Sequence, residues 1–149
     1  VIGGELYFIV ENDQGGVSYM RKSGDKYLVI NELLYNDQKD HVFLQENGEE
    51  GDEWGFEISI SSYGFVTKNV YTYSIHEKLE SFDLNGTTYK DVLVIDADTD
   101  TYMDGEYVMS LSDTRYYYAK GVGLIRSKLN QSYWFEEFSY SDLTKHTVK

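Results

Sequence analysis

The stretch that decides the fold is Asp91-Val92-Leu93-Val94-Ile95, where four consecutive residues are apolar and three of those are β-branched. β-Branched side chains favour extended backbone. An apolar run without alternation is typical of a strand that is covered on both faces. Residues 91–95 therefore predict a central strand that organises the core.

Period-two alternation surrounds this strand. In residues 56–61 Phe and Ile alternate with Glu and Ser, and in residues 71–76 Tyr and Ile alternate with Thr, Ser and His. Because successive side chains of a strand point to opposite faces, this pattern indicates half-buried antiparallel strands. Further strands are predicted at Glu5–Glu11, Val17–Lys22, Lys26–Asn31, His41–Glu46, Lys78–Leu84, Thr114–Lys120, Leu124–Leu129 and Tyr133–Tyr140.

Helical spacing is confined to Asn31–Asn36, which is too short to be stable alone. Turn-forming clusters such as Ser23-Gly24-Asp25 separate the predicted strands. The fold class predicted is all-β and mainly antiparallel, with little helix. We expect residues 1–149 to form a single domain, a meander that builds a sandwich or half-barrel.

Composition excludes several classes of function. The chain has 149 residues and no cysteine, which rules out thiol nucleophiles, zinc–thiolate sites and iron–sulfur clusters. The net charge of −13 makes nucleic acid and anionic membranes poor partners. The apolar run Leu6–Val10 is too short to cross a bilayer, so no transmembrane span is predicted. An aromatic content of 16% indicates a folded chain, since disordered acidic chains are poor in aromatics.

Two segments, Leu84–Val94 and Tyr116–Arg126, carry a resemblance to a known family. They are similar to ectodomains of uncharacterised bacterial cell-envelope lipoproteins, in which a Gly-x-x-Tyr-x-Asp-Val strand precedes a Tyr-Tyr-x-x-Lys-Gly-Val-Gly-Leu-Ile hairpin. The resemblance implies an antiparallel β domain with an extracytoplasmic location, at the periplasm or cell surface. It implies no catalytic residues. The lipid-bearing cysteine of such proteins is absent, and the start at Val1 leads us to expect that an upstream segment was removed.

The glycines of Gly121-Val122-Gly123 could suggest a phosphate-binding loop, but the third glycine and the Walker lysine are missing. Glycine adopts positive φ without steric cost. We therefore expect a bend at Gly121 or Gly123 that joins the strands at 114–120 and 124–129.

Asp96, Asp98 and Asp100 place carboxylates at alternate positions, a partial signal for a calcium site. The glycine and glutamate that an EF-hand loop requires are replaced by Thr101 and Tyr107. The alternative is an acidic connection between strands, and we expect these aspartates on such an exposed connection. No other cofactor is predicted. The three histidines have no ligand spacing in the sequence.

Trp54, Trp134, Tyr116 and Tyr118 are the candidate ligand-binding residues. Aromatic rings can stack on sugars or anchor a protein partner, and the alternative is ordinary packing within a sheet. The function predicted is a non-catalytic binding or structural module with a protein or glycan partner. The alternative is a hydrolase acting on glycans, which needs two carboxyl groups at a defined separation.

Overall fold

The structure is a computed structural model that describes residues 6–11, 17–31, 40–132 and 139–142. These residues form β-strands and no helix, which confirms the predicted all-β class. Within the same ranges, no helix is long and apolar enough to span a membrane. The strands are β1 (Phe8–Glu11), β2 (Val17–Ser23), β3 (Lys26–Asn31), β4 (His41–Gln45), β5 (Glu53–Ser62), β6 (Phe65–Leu84), β7 (Thr87–Met103), β8 (Glu106–Ala119), β9 (Gly123–Ser132) and β10 (Ser139–Asp142).

The chain divides into two compact units, Val1–Gly48 and Glu49–Lys149. The first holds a four-stranded sheet in the order β1-β2-β3-β4, and the second a six-stranded sheet in the order β10-β9-β8-β7-β6-β5. Every pairing is antiparallel and joins neighbours in the chain, as predicted for a meander. Both orders have two free ends, so neither sheet is closed. The single domain and its sandwich or half-barrel form stay predictions.

In the first unit, a polar cluster connects the beginning of β4 to β2. The Arg21 guanidinium donates to the carboxylate of Asp40, and the Tyr7 hydroxyl donates to the same oxygen over 2.8 Å. Burial alone would raise the pKa of Asp40, but these hydrogen bonds hold it below its usual value.

The second unit is built around the hairpin of β6 and β7, whose register runs from Leu84↔Thr87 to Thr67↔Met103. The turn is Asn85-Gly86, with φ positive at both residues, as in the type I′ turns that match the twist of paired strands. One bulge, at His76, interrupts the pairing.

Val92, Leu93, Val94 and Ile95 are all buried, at 9% exposure or less, and β7 is flanked by β6 and β8. This confirms the predicted central strand. One buried cluster joins four neighbouring strands. It contains Leu84 of β6, Tyr89 and Val92 of β7, Ala119 of β8 and Ile125 of β9.

The predicted position of Asp96, Asp98 and Asp100 is wrong, because they lie in the middle of β7 and not on a connection between strands. Their backbones pair with β6 on one side and β8 on the other. Backbone groups paired on both sides are satisfied within the sheet, so a polar sequence is stable there when its side chains share a solvated face. Only Asp98 is exposed; Asp96 and Asp100 are half-buried.

The expected bend lies between β8 and β9, where Gly121 and Gly123 both have positive φ, at 76° and 106°. All but the first residue of the predicted helical turn Asn31–Asn36 lies outside the described residues. Of the predicted strand Tyr133–Tyr140, only the last two residues are described, and they belong to β10.

Replacing Gly121 with Ala should lower the free energy of unfolding by about 1 kcal/mol or more, because a Cβ is disfavoured at this φ. Open space surrounds the site, so the loss comes from the backbone and not from a clash. Gly121→Asn is the matched control and should lose less, since asparagine tolerates the left-handed region. Urea denaturation measures both. Equal stability of Gly121→Ala and the parent would contradict the bend.

Candidate binding surface

The six-stranded sheet has one aromatic face, defined by Trp54, Phe56, Tyr71, Tyr73, Tyr116 and Tyr118. The pairing of Trp54 with Tyr73 and of Phe56 with Tyr71 places the first four side chains on one side, and the registers of β6 with β7 and of β7 with β8 place Tyr116 and Tyr118 on the same side. The rings of Trp54 and Tyr73 stack at 6.0 Å between centroids, and those of Phe56 and Tyr71 at 4.6 Å. The structure therefore places three of the four predicted ligand-binding residues on one face, Trp54 on β5 and the neighbouring pair Tyr116 and Tyr118 on β8.

At one end of the aromatic face the side chains are buried. Ile75 and Ile95, paired across β6 and β7 on this face, are 1% and 0% exposed. Burial, with smaller contributions from Tyr116 and Tyr71, raises the pKa of Tyr73 to about 12. Burial also raises the pKa values of Tyr116 and Tyr118, whose rings lie 6.0 Å apart. These tyrosines are packed into the sheet.

The same face is open at its other end, toward the turns that follow β5 and β7. Ile60 is 59% exposed, Phe65 55% and Met103 44%. Register places all three on the aromatic side, since Ile60 and Met103 are both paired with Thr67 of β6 and Phe65 precedes Thr67 by two residues. The aromatic face thus continues into a cluster of exposed apolar side chains.

Trp54 combines an apolar body with an unsatisfied donor. Its indole Nε1 is buried and has no hydrogen-bond acceptor among the described residues. One ring face stacks on Tyr73 of β6, so the other is directed toward the outer edge of β5, the last strand of the sheet. This is the position from which Trp54 can contact a partner.

A shallow concavity of about 310 Å³ lies at this edge, lined by residues 53–57 and 70–72. Gly55 lies at the middle of the lining segment of β5. A Cβ at this position would lie 2.1 Å from the carbonyl oxygen of Tyr71, so the close approach of β5 and β6 requires glycine.

The opposite side of the sheet is a carboxylate face, defined by Asp96, Asp98, Asp100 and Asp113. Asp96 accepts two hydrogen bonds from Arg115, at 2.7 and 3.1 Å, in the bidentate geometry typical of strong ion pairs. His76 Nδ1 lies 3.3 Å from the second oxygen of Asp96. Asp96 is therefore already engaged by two basic side chains.

Asp98 and Asp113 form a carboxyl pair, directly opposite each other on β7 and β8. Partial burial, the charge of Asp113 and a hydrogen bond with Asp113 raise the pKa of Asp98 to about 6, with Asp96 and Asp100 adding smaller effects. The contact with a second carboxyl group disfavours the charged form of Asp98.

The calcium interpretation of Asp96, Asp98 and Asp100 meets a geometric difficulty. Alternate residues of a strand are separated by roughly 6.5 Å along it, whereas calcium oxygens lie at about 2.3–2.6 Å from the ion. Among the described residues, no group of three or more His, Asp or Glu side chains is arranged to hold a metal. The cofactor prediction itself stays untested.

Trp134 lies outside the described residues. Sequence reasoning missed Asp113 and Arg115, although they alternate just before and within the predicted strand Thr114–Lys120. Their importance depends on which residues of β7 lie opposite, which is a property of the register and not of either segment alone. Comparisons of the chain with family models, curated proteins and solved structures found no match.

The variant Asp98→Asn should have a higher melting temperature than the parent at pH 7.5, with little difference at pH 4. A pKa raised by folding means that the folded protein binds the proton more tightly than the unfolded chain. The parent therefore loses stability as pH rises from about 4 through about 6, and the asparagine variant escapes this loss.

Asp113→Asn should behave in the same way, and Glu106→Gln, an exposed acid at the β7–β8 turn, is the control. Carbon-13 NMR titration of the Asp98 carboxyl measures its pKa directly. An ordinary aspartate pKa in the parent would show that the pair is not coupled.

Proposed function

We propose that this chain is a non-catalytic binding module of the bacterial cell envelope that recognises its partner through the open part of the aromatic face. The observation that carries the proposal is the exposure of Ile60, Phe65 and Met103 on the same face of the sheet as the ring stack of Phe56 and Tyr71. Contiguous exposed apolar side chains on a folded domain mark interaction sites.

The geometry favours a protein partner over a glycan. Sugars stack on flat ring faces, and the stacks of Phe56 with Tyr71 and of Trp54 with Tyr73 already use one face of each ring, whereas the exposed part of this face includes the aliphatic side chains of Ile60 and Met103. A protein partner needs only apolar contacts and backbone hydrogen bonds, and both are available at this end of the sheet. The location in the cell envelope is supported by the resemblance of residues 84–94 and 116–126 to envelope lipoproteins.

The alternative, a hydrolase acting on glycans, is favoured by one observation, the raised pKa of Asp98. A general acid needs such a pKa. However, Asp98 and Asp113 are within hydrogen-bond reach, whereas glycosidases hold their carboxyl groups about 5–9.5 Å apart. Their position on a sheet face, with Asp98 exposed, also provides little exclusion of water. We therefore place this function second.

The proposal predicts saturable binding to members of a peptide array or a glycan array, with loss of at least tenfold in affinity for the double variant Ile60→Ser, Phe65→Ser. The matched control is Val66→Ser, Tyr107→Ser, which removes two other exposed large side chains, 43% and 59% exposed, from the opposite face. It should bind as the parent does. Circular dichroism melting verifies that both variants are folded.

A panel of chromogenic glycosides tests the second candidate on the same preparations. Turnover that disappears in both Asp98→Asn and Asp113→Asn would replace the proposed function with the hydrolase. Equal loss of binding in both double variants would show that the aromatic face has no special role.

A further inference from the structure

The outer edge of β5 is a free sheet edge. β5 is the last strand of its sheet, and among the described residues no strand pairs with its outer side. Its register with β6 runs without interruption from Glu53↔Ser74 to Ser62↔Phe65. Ten residues of regular strand therefore present one row of backbone groups to solvent.

The residues that supply this row follow from one hydrogen bond and one register pair. The amide of Ile75 donates to the carbonyl of Asp52 over 3.0 Å, and the two-residue turn at Tyr63-Gly64 is closed by the pair Ser62–Phe65. In an antiparallel ladder, every second residue bonds to the partner strand. Even-numbered residues of β5 thus bond to β6. The outward amides and carbonyls belong to Glu53, Gly55, Glu57, Ser59 and Ser61.

Apart from the two charged side chains of Glu53 and Glu57, β5 lacks the features that usually protect an edge. It contains no proline, no lysine and no arginine, and its pairing with β6 has no bulge. The pairings of β6 with β7, β7 with β8 and β8 with β9 all contain register shifts. The ten regularly paired residues of β5 lie at an edge of the sheet, where they can serve as a template for another strand.

The side chains of β5 define what a neighbouring strand must carry. Trp54, Phe56, Ile58 and Ile60 lie on the aromatic side, and Glu53 and Glu57 lie on the other. Both glutamates are exposed, and no cation of the described residues is within ion-pair distance of either. Directly opposed residues of paired strands prefer matching apolar contacts and opposite charges.

We infer that β5 accepts an extended peptide segment of another protein as an added strand, with apolar side chains toward the aromatic face and basic side chains opposite Glu53 and Glu57. This inference rests on the proposed function as a binding module and names the class of its partner. Backbone hydrogen bonds to the outward row supply affinity, and the alternating side chains supply specificity.

A second copy of this chain fits less well than a basic segment. Each copy carries a net charge of −13, and β5 offers no cation to oppose the glutamates of its mate. Like charges on adjacent strands destabilise the pairing.

Two synthetic eight-residue peptides with blocked termini serve as probes. One alternates lysine with valine, and the other has glutamate in place of lysine. We expect saturable binding of the lysine peptide, measured by fluorescence anisotropy, and at least tenfold weaker binding of the glutamate peptide. Hydrogen exchange should slow at the amides of Gly55, Glu57 and Ser59 on binding. Unchanged exchange at these amides would contradict strand addition.

Ser59→Pro removes an outward amide and leaves the bonds to β6 in place, so it should weaken peptide binding at least tenfold. Ser59→Ala keeps the amide and should bind as the parent does. The double variant Glu53→Lys, Glu57→Lys should prefer the glutamate peptide, which tests the inference even where the proline variant does not fold.

The outcomes separate this inference from the proposed function. Binding of an array ligand that depends on Ile60 and Phe65 but survives Ser59→Pro, with no binding of the lysine peptide, would overturn strand addition and retain the binding module. Absence of any ligand in all screens would overturn both. A dimer that Ser59→Pro dissociates would identify a second copy as the occupant and contradict the basic segment.

Discussion

The pairing of β6 with β7 is the constraint on which the rest of the second unit depends. It aligns Ile75 with Ile95 and Leu79 with Val92, so that the central strand is buried on both faces. β5 and β8 then add to the two outer sides of this hairpin. Because the pairing is continuous over most of both strands, it also fixes which side chains share a face. The aromatic and carboxylate faces are consequences of this one register.

The local signals for this hairpin are present in the sequence. The apolar run at residues 91–95 predicts the central strand, and the alternation at residues 71–76 predicts part of β6. The sequence pattern predicts two separate strands, at residues 71–76 and 78–84. The structure has a single strand there, β6, with a bulge at His76, and the apolar positions change phase after the bulge. A pattern that requires strict period two ends at such a phase change, although the hydrogen-bonded ladder continues through the bulge.

Asp96, Asp98 and Asp100 show the limit of sequence reasoning from polarity. Acidic residues are depleted in strands, so a run of alternate aspartates resembles a loop. Their alternation with Ala97 and Thr99 is nevertheless period two, and Thr99 is buried. The carboxyl pair of Asp98 and Asp113 could not be predicted, because it depends on the register between two strands separated by the Asp104-Gly105 turn. Residue type alone identifies Trp54, Tyr116 and Tyr118 as candidate ligand-binding residues. That they share one face depends on the registers of all the pairings from β5 to β8.

Because the two faces of the sheet differ in chemistry, its free edge distinguishes the two sides of an added strand. A strand that adds to β5 must match a row of aromatic and aliphatic side chains on one side and the two exposed carboxylates of Glu53 and Glu57 on the other. A one-residue shift would place its charges against Trp54 and Phe56. The overall negative charge works in the same sense, since it repels further copies of the chain and attracts basic segments. Screening by salt reduces such attraction between exposed charges but leaves backbone pairing intact. Charge thereby restricts the choice of partner at an edge that has neither proline nor a bulge to close it.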